Sequence, residues 1–95
     1  MQTFCLCRRA GKLTIGFDAA VDEIHRKTPG GVILASDVSA KTEKEVNFHA
    51  QQNGTEVIKA EFTMDEAKNA TGKRAGVFFV TDEGLFDSIK KHTKI

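Results

Sequence analysis

An α/β sandwich around a small central sheet is the fold class predicted by this 95-residue sequence. Three observations lead there. Three short β-rich runs, VILA, EVIKA and VFFV, recur along the chain. Each is followed by residues suited to a helix N-cap and then by a helical segment. Length and composition complete the case: 40% hydrophobic and 28% charged residues, with one proline, make a globular chain with one modest core. Residues 1–95 are therefore expected to form a single domain. Strands alternating with helices place helices on both faces of the sheet.

The elements follow in order. MQTFCLCRRAG opens a first helix ending in Arg8 and Arg9, with one cysteine packed and the other partly exposed. KLTI, Lys12 to Ile15, is expected to add a short edge strand. In the second helix Phe17, Ala20, Val21 and Ile24 fall at i, i+3, i+4 and i+7, a narrow apolar stripe. Thr28-Pro29-Gly30-Gly31 stops it. VILA then runs into Ser36, Asp37 and Ser39, which start a third helix over about 40–53. Thr42, Val46, His49 and Ala50 share one face of it, and Phe48 lies off that face.

EVIKA leads to Thr63-Met-Asp-Glu66, a capping box in which the hydroxyl and the carboxylate satisfy free amides. The fourth helix, about 64–71, stops at Gly72. VFFV leads to Thr81 and Asp82, another N-cap. The fifth helix packs Leu85, Phe86 and Ile89 inward and ends in Lys90, Lys91 and Lys94, cations suited to a helix C-terminus. This architecture gathers loop ends and helix N-termini at one end of the sheet, where α/β folds usually bind ligands.

Several function classes drop out. The apolar runs fall far short of the roughly 20 residues that a membrane helix needs. Apolar residues precede the charges at the N-terminus, the reverse of a secretory signal, so a cytoplasmic protein is expected. Cys5 and Cys7 read as reduced thiols. A closed zinc site needs about four ligands, and His25, His49 and His92 are scattered in sequence; no metal or cofactor is expected. His49 reads as a packed or hydrogen-bonded histidine rather than a catalytic one. Asp22–Glu23 and Asp82–Glu83 are adjacent pairs that diverge on a helix and make no acid/base couple. No histidine stands near a serine or cysteine to activate it. Non-catalytic function is the expectation.

Charge is more informative in its distribution than in its net value of +1. Residues 1–15 carry Arg8, Arg9 and Lys12 and no acid, whereas residues 16–24 carry Asp18, Asp22 and Glu23 and no base. Across this reversal lies GKLTIGFDAAVDEI, a glycine, four residues and a second glycine at the mouth of a helix. A nucleotide-binding P-loop continues with Lys and Ser or Thr after the second glycine. Here Gly16 is followed by Phe17 and Asp18, so a nucleotide hydrolase is not expected.

RRAGKLTIGFDAA, GGVILASD and GKRAGVFFVTDEG, in this order over about Cys7 to Ile89, resemble the kink-turn-binding ribosomal-protein superfamily of the L-seven-Ae type. Within it they resemble the short bacterial YlxQ-like members. The resemblance implies a three-layer α/β/α sandwich with a mixed four-stranded sheet. It also implies an RNA-binding protein of the ribosomal or translation type, its partner a structured RNA such as a ribosomal or riboswitch kink-turn. Such proteins hold a sharply bent RNA with the loop and N-terminus of the second helix. The loop after the GKRAG position adds contacts to bases turned out of the stack.

Carried onto this chain, the site comprises Arg8, Arg9, Lys12, Gly16, Phe17 and Asp18 with Gly72, Lys73, Arg74 and Ala75. Lys12, Gly16, Lys73 and Arg74 would hold the backbone and Asp18 would face a base edge. Free amides at a helix start suit phosphates, and unstacked bases are where RNA sequence is read.

The chain departs from the family pattern, which reads Gly-Lys, a hydrophobic residue, two basic residues, then Gly-x-Asn-Glu-x-x-Lys. Thr14 and Ile15 stand at the basic positions, and Asp18, Ala19 and Asp22 replace Asn, Glu and Lys. Ionised Asp18 accepts hydrogen bonds but cannot donate them, and Asp22 repels a phosphate. With no Trp or Tyr, a generic single-strand stacking platform is not expected. The alternative function keeps the fold and loses RNA, with Asp18, Asp22 and Glu23 on the second helix meeting a basic protein partner.

Overall fold

The computed structural model describes residues 2–92. Nine elements follow one another: α1 (Gln2–Arg9), β1 (Leu13–Ile15), α2 (Phe17–His25), β2 (Gly31–Leu34), α3 (Ala40–Asn53), β3 (Glu56–Lys59), α4 (Met64–Thr71), β4 (Val77–Val80) and α5 (Glu83–His92). The sheet order is β1-β4-β2-β3, so the KLTI strand is indeed an edge. β2 and β3 pair in parallel, with Val32 opposite Val57. β4 runs antiparallel to both of its neighbours, with Phe79 opposite Thr14 on one side and Val32 on the other. The sheet is mixed and four-stranded, the predicted fold class.

The two-residue strand period sorts the core into two layers. On one face Ile33, Ile58, Phe78 and Val80 pack with Phe4 and Cys7 of α1, Ala67 of α4 and Phe86 and Ile89 of α5. On the other, Val32, Leu34, Val77 and Phe79 pack with Ala20 and Ile24 of α2 and Val46 and Ala50 of α3. β2 and β4 are buried along their whole length. That is why VILA and VFFV are continuous apolar runs rather than alternating ones. Phe4 anchors α1 with its ring edge-on to Phe78 at a centroid separation of 4.9 Å.

Gly30 and Gly31 are demanded by packing. A Cβ on Gly30 (φ +119°) would lie 1.7 Å from the Val80 carbonyl oxygen, and one on Gly31 would enter the Phe86 ring. The helix boundaries follow the cap chemistry. Ser39 Oγ accepts from the Thr42 amide, Asp82 Oδ1 accepts from the Leu85 amide, and both halves of the Thr63–Glu66 capping box form. Lys94 lies outside the described residues.

One expectation is corrected. The helix starts do not all gather at one end. Because β4 is reversed, the starts of α2, α3 and α4 share the end of the sheet marked by Ile15, Leu34, Lys59 and Val77. The start of α5 follows Val80 at the opposite end.

Candidate RNA-binding end of the sheet

The two glycines of GKLTIGFDAAVDEI do not form one loop. Gly11 (φ +71°) turns the chain out of α1, and Gly16 (φ +108°, ψ 157°) turns it into α2. β1 separates them, a span of roughly 16 Å at strand rise. Lys12 stays at the far end, where its carbonyl accepts from the Thr81 amide. The phosphate-loop spacing therefore arises from two independent turns. Gly16 itself is fixed by the Val77 carbonyl, which accepts its amide at 2.9 Å.

Three helices start at this end, and only one start is left open. α3 has the Ser39 cap, and α4 has Thr63 and Glu66. In addition, Asp37 Oδ1 accepts the Met64 amide at 2.8 Å. α2 begins at Gly16 with no side-chain cap, and a Cβ at Gly16 would meet no heavy atom within 4 Å. First-turn amides without a cap carry partial positive charge toward whatever occupies that space.

Beside this start lies a groove of about 360 Å³ lined by Phe17, Asp37, Val38, Ser39, Thr42, Met64, Ala75, Gly76 and Val77. Its floor depends on Gly76, because a Cβ there would come within 2.9 Å of Val38 Cγ2 and 3.4 Å of Met64 Sδ. Phe17 and Ala75, both expected site residues, line it together; Val38, Met64 and Gly76 were not expected there, and Asp37 was expected only as a helix-start residue. Both were expected through the family resemblance; in the sequence alone Phe17 belongs to the apolar stripe of α2, a signal indistinguishable from core packing.

The second segment of the site is a shaped turn. Gly72 (φ +83°) is the left-handed C-cap of α4, and its amide bonds to the Lys68 carbonyl. The buried Thr71 hydroxyl bridges Ala67 O (2.9 Å) and Lys73 O (3.0 Å) and accepts from the Lys73 amide (3.2 Å). Thr71 thus sets the direction in which Lys73 and Arg74 leave the helix. A Cβ on Gly72 would lie 4.0 Å from Arg8 Nη2, so the end of α1 adjoins this turn. Arg74 Nε is held by Asp65 Oδ1 at 2.9 Å, an exposed ion pair of the kind worth at most about 1 kcal/mol. Lys12, Arg8, Arg9 and Lys73 have no ion-pair partner among the described residues.

The acids of α2 do not form the face expected of them. Asp18 is exposed in the first turn, and Asp22 pairs with Arg26 at 3.1 Å. Glu23 turns toward the sheet, where Thr14 Oγ1 (3.1 Å) and Thr28 Oγ1 (2.9 Å) donate to its two oxygens. Its charge is spent on joining β1, α2 and the following turn. This corrects the expectation of a three-acid face for a basic protein partner. It also gives Thr14 a structural task.

The remaining chemistry-bearing groups lie apart. Burial, and to a lesser degree the nearby Asp82 carboxylate, push the Cys7 thiol up from its ordinary value of 9.0. Among the described residues no three His, Cys, Asp or Glu side chains gather as a metal site, and no helix is long and apolar enough to cross a membrane. His25 and His49, far apart in sequence, do meet: Nε2 of the first lies 3.2 Å from Nδ1 of the second.

No protein-family model matches this chain, and no curated protein matches it. Solved structures do. A protein of unknown function from Bacillus halodurans C superposes with a TM-score of 0.85 at 23% identity, over 94% of this chain and 90% of that one. The 15.5kD RNA binding protein of Giardia lamblia superposes with a TM-score of 0.76 at 13% identity, over 96% of this chain and 81% of that one. At these identities the likeness is one of architecture, and the chain has the α/β/α sandwich fold of both.

Proposed function

We propose that this chain is a non-catalytic RNA-binding protein of the ribosomal or translation type, a YlxQ-like member of the L-seven-Ae superfamily acting as a single domain in the bacterial cytoplasm. Its ligand is a sharply bent, kink-turn-like RNA. The observation that carries this reading is the uncapped start of α2 beside the groove. Phosphates meet the amides after Gly16, and a base turned out of the stack enters between Phe17, Val38 and Ala75. The shared architecture with an RNA binding protein supports it.

The cations divide the work by position. Lys73 and Arg74 leave the Thr71-braced turn beside the groove, and Arg8 adjoins them. Lys12 lies at the other end of β1, so it serves only an RNA that continues along that edge. Asp18 has no donor to offer a base and reads only an edge that carries one. With Asp22 on the same helix, this makes for weaker binding than a basic helix gives.

The decisive experiment compares a short kink-turn RNA with a straight duplex of matched length across a salt titration. Tighter binding to the bent RNA is expected, with a slope of a few counterions at about 0.7–0.9 per phosphate contact. Equal, weak binding to both at every salt concentration would refute the proposal.

A further inference from the structure

We infer that His25 and His49 form a two-histidine clamp for a divalent late transition metal, fastening α2 to α3. The two imidazoles come from different helices and present Nε2 and Nδ1 to each other at 3.2 Å, with ring centroids 5.1 Å apart and planes at 74°. Two imidazole nitrogens bound to one ion at about 2.0–2.1 Å stand roughly 3.3–3.4 Å apart at a tetrahedral angle and about 2.9 Å apart at a right angle. The observed separation lies between these limits, so one ion can bridge the pair once both rings turn their lone pairs off the N···N line toward it. His25 is exposed, which gives an ion an open path to the pair.

One ring nitrogen now donates to the other. Coordination needs a lone pair on both facing nitrogens, which places the protons on His25 Nδ1 and His49 Nε2. No third His, Cys, Asp or Glu completes the site among the described residues, so water fills the other positions. Imidazole-rich sites with open positions take Zn²⁺, Ni²⁺ and Cu²⁺ rather than Mg²⁺ or Ca²⁺. The unfolded chain does not hold the two rings together, so an ion bound here favours the folded form. Protons compete for the same lone pairs, so acid releases the ion.

The test is calorimetric titration of the intact chain with Zn²⁺ alone, in a non-coordinating buffer with a phosphine in place of a thiol as reductant. It needs no RNA and stands apart from the function proposed above. One saturable equivalent is expected, with a rise in Tm. H25Q and H49Q should each weaken uptake at least tenfold, while H92Q and C5S leave it unchanged. Absence of saturable uptake, uptake by H25Q and H49Q equal to that of the parent, or loss of uptake in C5S would each overturn the assignment.

Discussion

Replacing Gly16 by alanine tests the hinge on which the site depends. The backbone there (φ +108°, ψ 157°) lies in a region essentially reserved for glycine. An added Cβ meets no heavy atom within 4 Å, so the penalty is backbone strain alone, about 1–3 kcal/mol. For a domain of this size that lowers Tm by roughly 5–20 °C. The chain can escape the strain only by rotating the peptide and weakening the Gly16–Val77 bond, which turns the first amides of α2 away from the open space. Thermal melts followed by circular dichroism measure the first effect, and kink-turn RNA titration well below the lowered Tm measures the second. Both stability and affinity should fall. A variant that melts within about 1 °C of the parent and binds RNA equally well would refute the argument.

Other changes follow from individual contacts. Asp65→Ala releases Arg74 and should raise RNA affinity severalfold and steepen the salt slope by up to about 0.7–0.9; an unchanged slope would mean that Arg74 touches no phosphate. The cost is a slightly lower Tm, because an acid in the first turn of α4 is lost. Glu23→Ala strands two threonine hydroxyls and should destabilise the fold by about 1–3 kcal/mol in urea denaturation, with Glu23→Gln recovering part of the loss. Cys7 should resist alkylation in the native state while half-exposed Cys5 reacts, as read by peptide mass spectrometry. Its raised pKa also fixes a pH trend: above about 9.0 the unfolded chain ionises at Cys7 before the folded one does, so its contribution to stability falls as pH climbs from there. Replacing Cys7 by alanine should flatten that part of the stability profile.

Much of the fold could be read from the residues because several signals agree locally. The strand runs, the Thr63–Glu66 box and the Gly72 stop each combine a propensity with a cap, and each element forms where they point. The direction of β4 was not legible. VFFV-Thr81-Asp82 looks in sequence like the other strand-to-helix junctions, and only sheet pairing reveals that it runs the other way. The site divides similarly. Gly16 and the Gly72–Ala75 turn carry local conformational signals, whereas Val38, Met64 and Gly76 form a groove only when three segments converge. Glu23 illustrates the limit most clearly: helix periodicity places it near Asp22 on the chain, but its partners Thr14 and Thr28 come from the strand before and the turn after. The His25–His49 pair is wholly a product of helix packing.

The sheet leaves two open edges, and neither invites another strand. β1 offers only Leu13 to Ile15 between glycine-bounded turns, too short a template for extended pairing. β3 is longer, but Glu56 and Lys59 stand exposed on it, engaged by Lys90 of α5 and Glu43 of α3 respectively. A strand arriving at that edge would have to displace those charges and leave them in a drier setting. Growth of the sheet from one molecule into the next, the first step toward fibrous aggregation, is therefore opposed at both borders by features that have no part in recognising RNA.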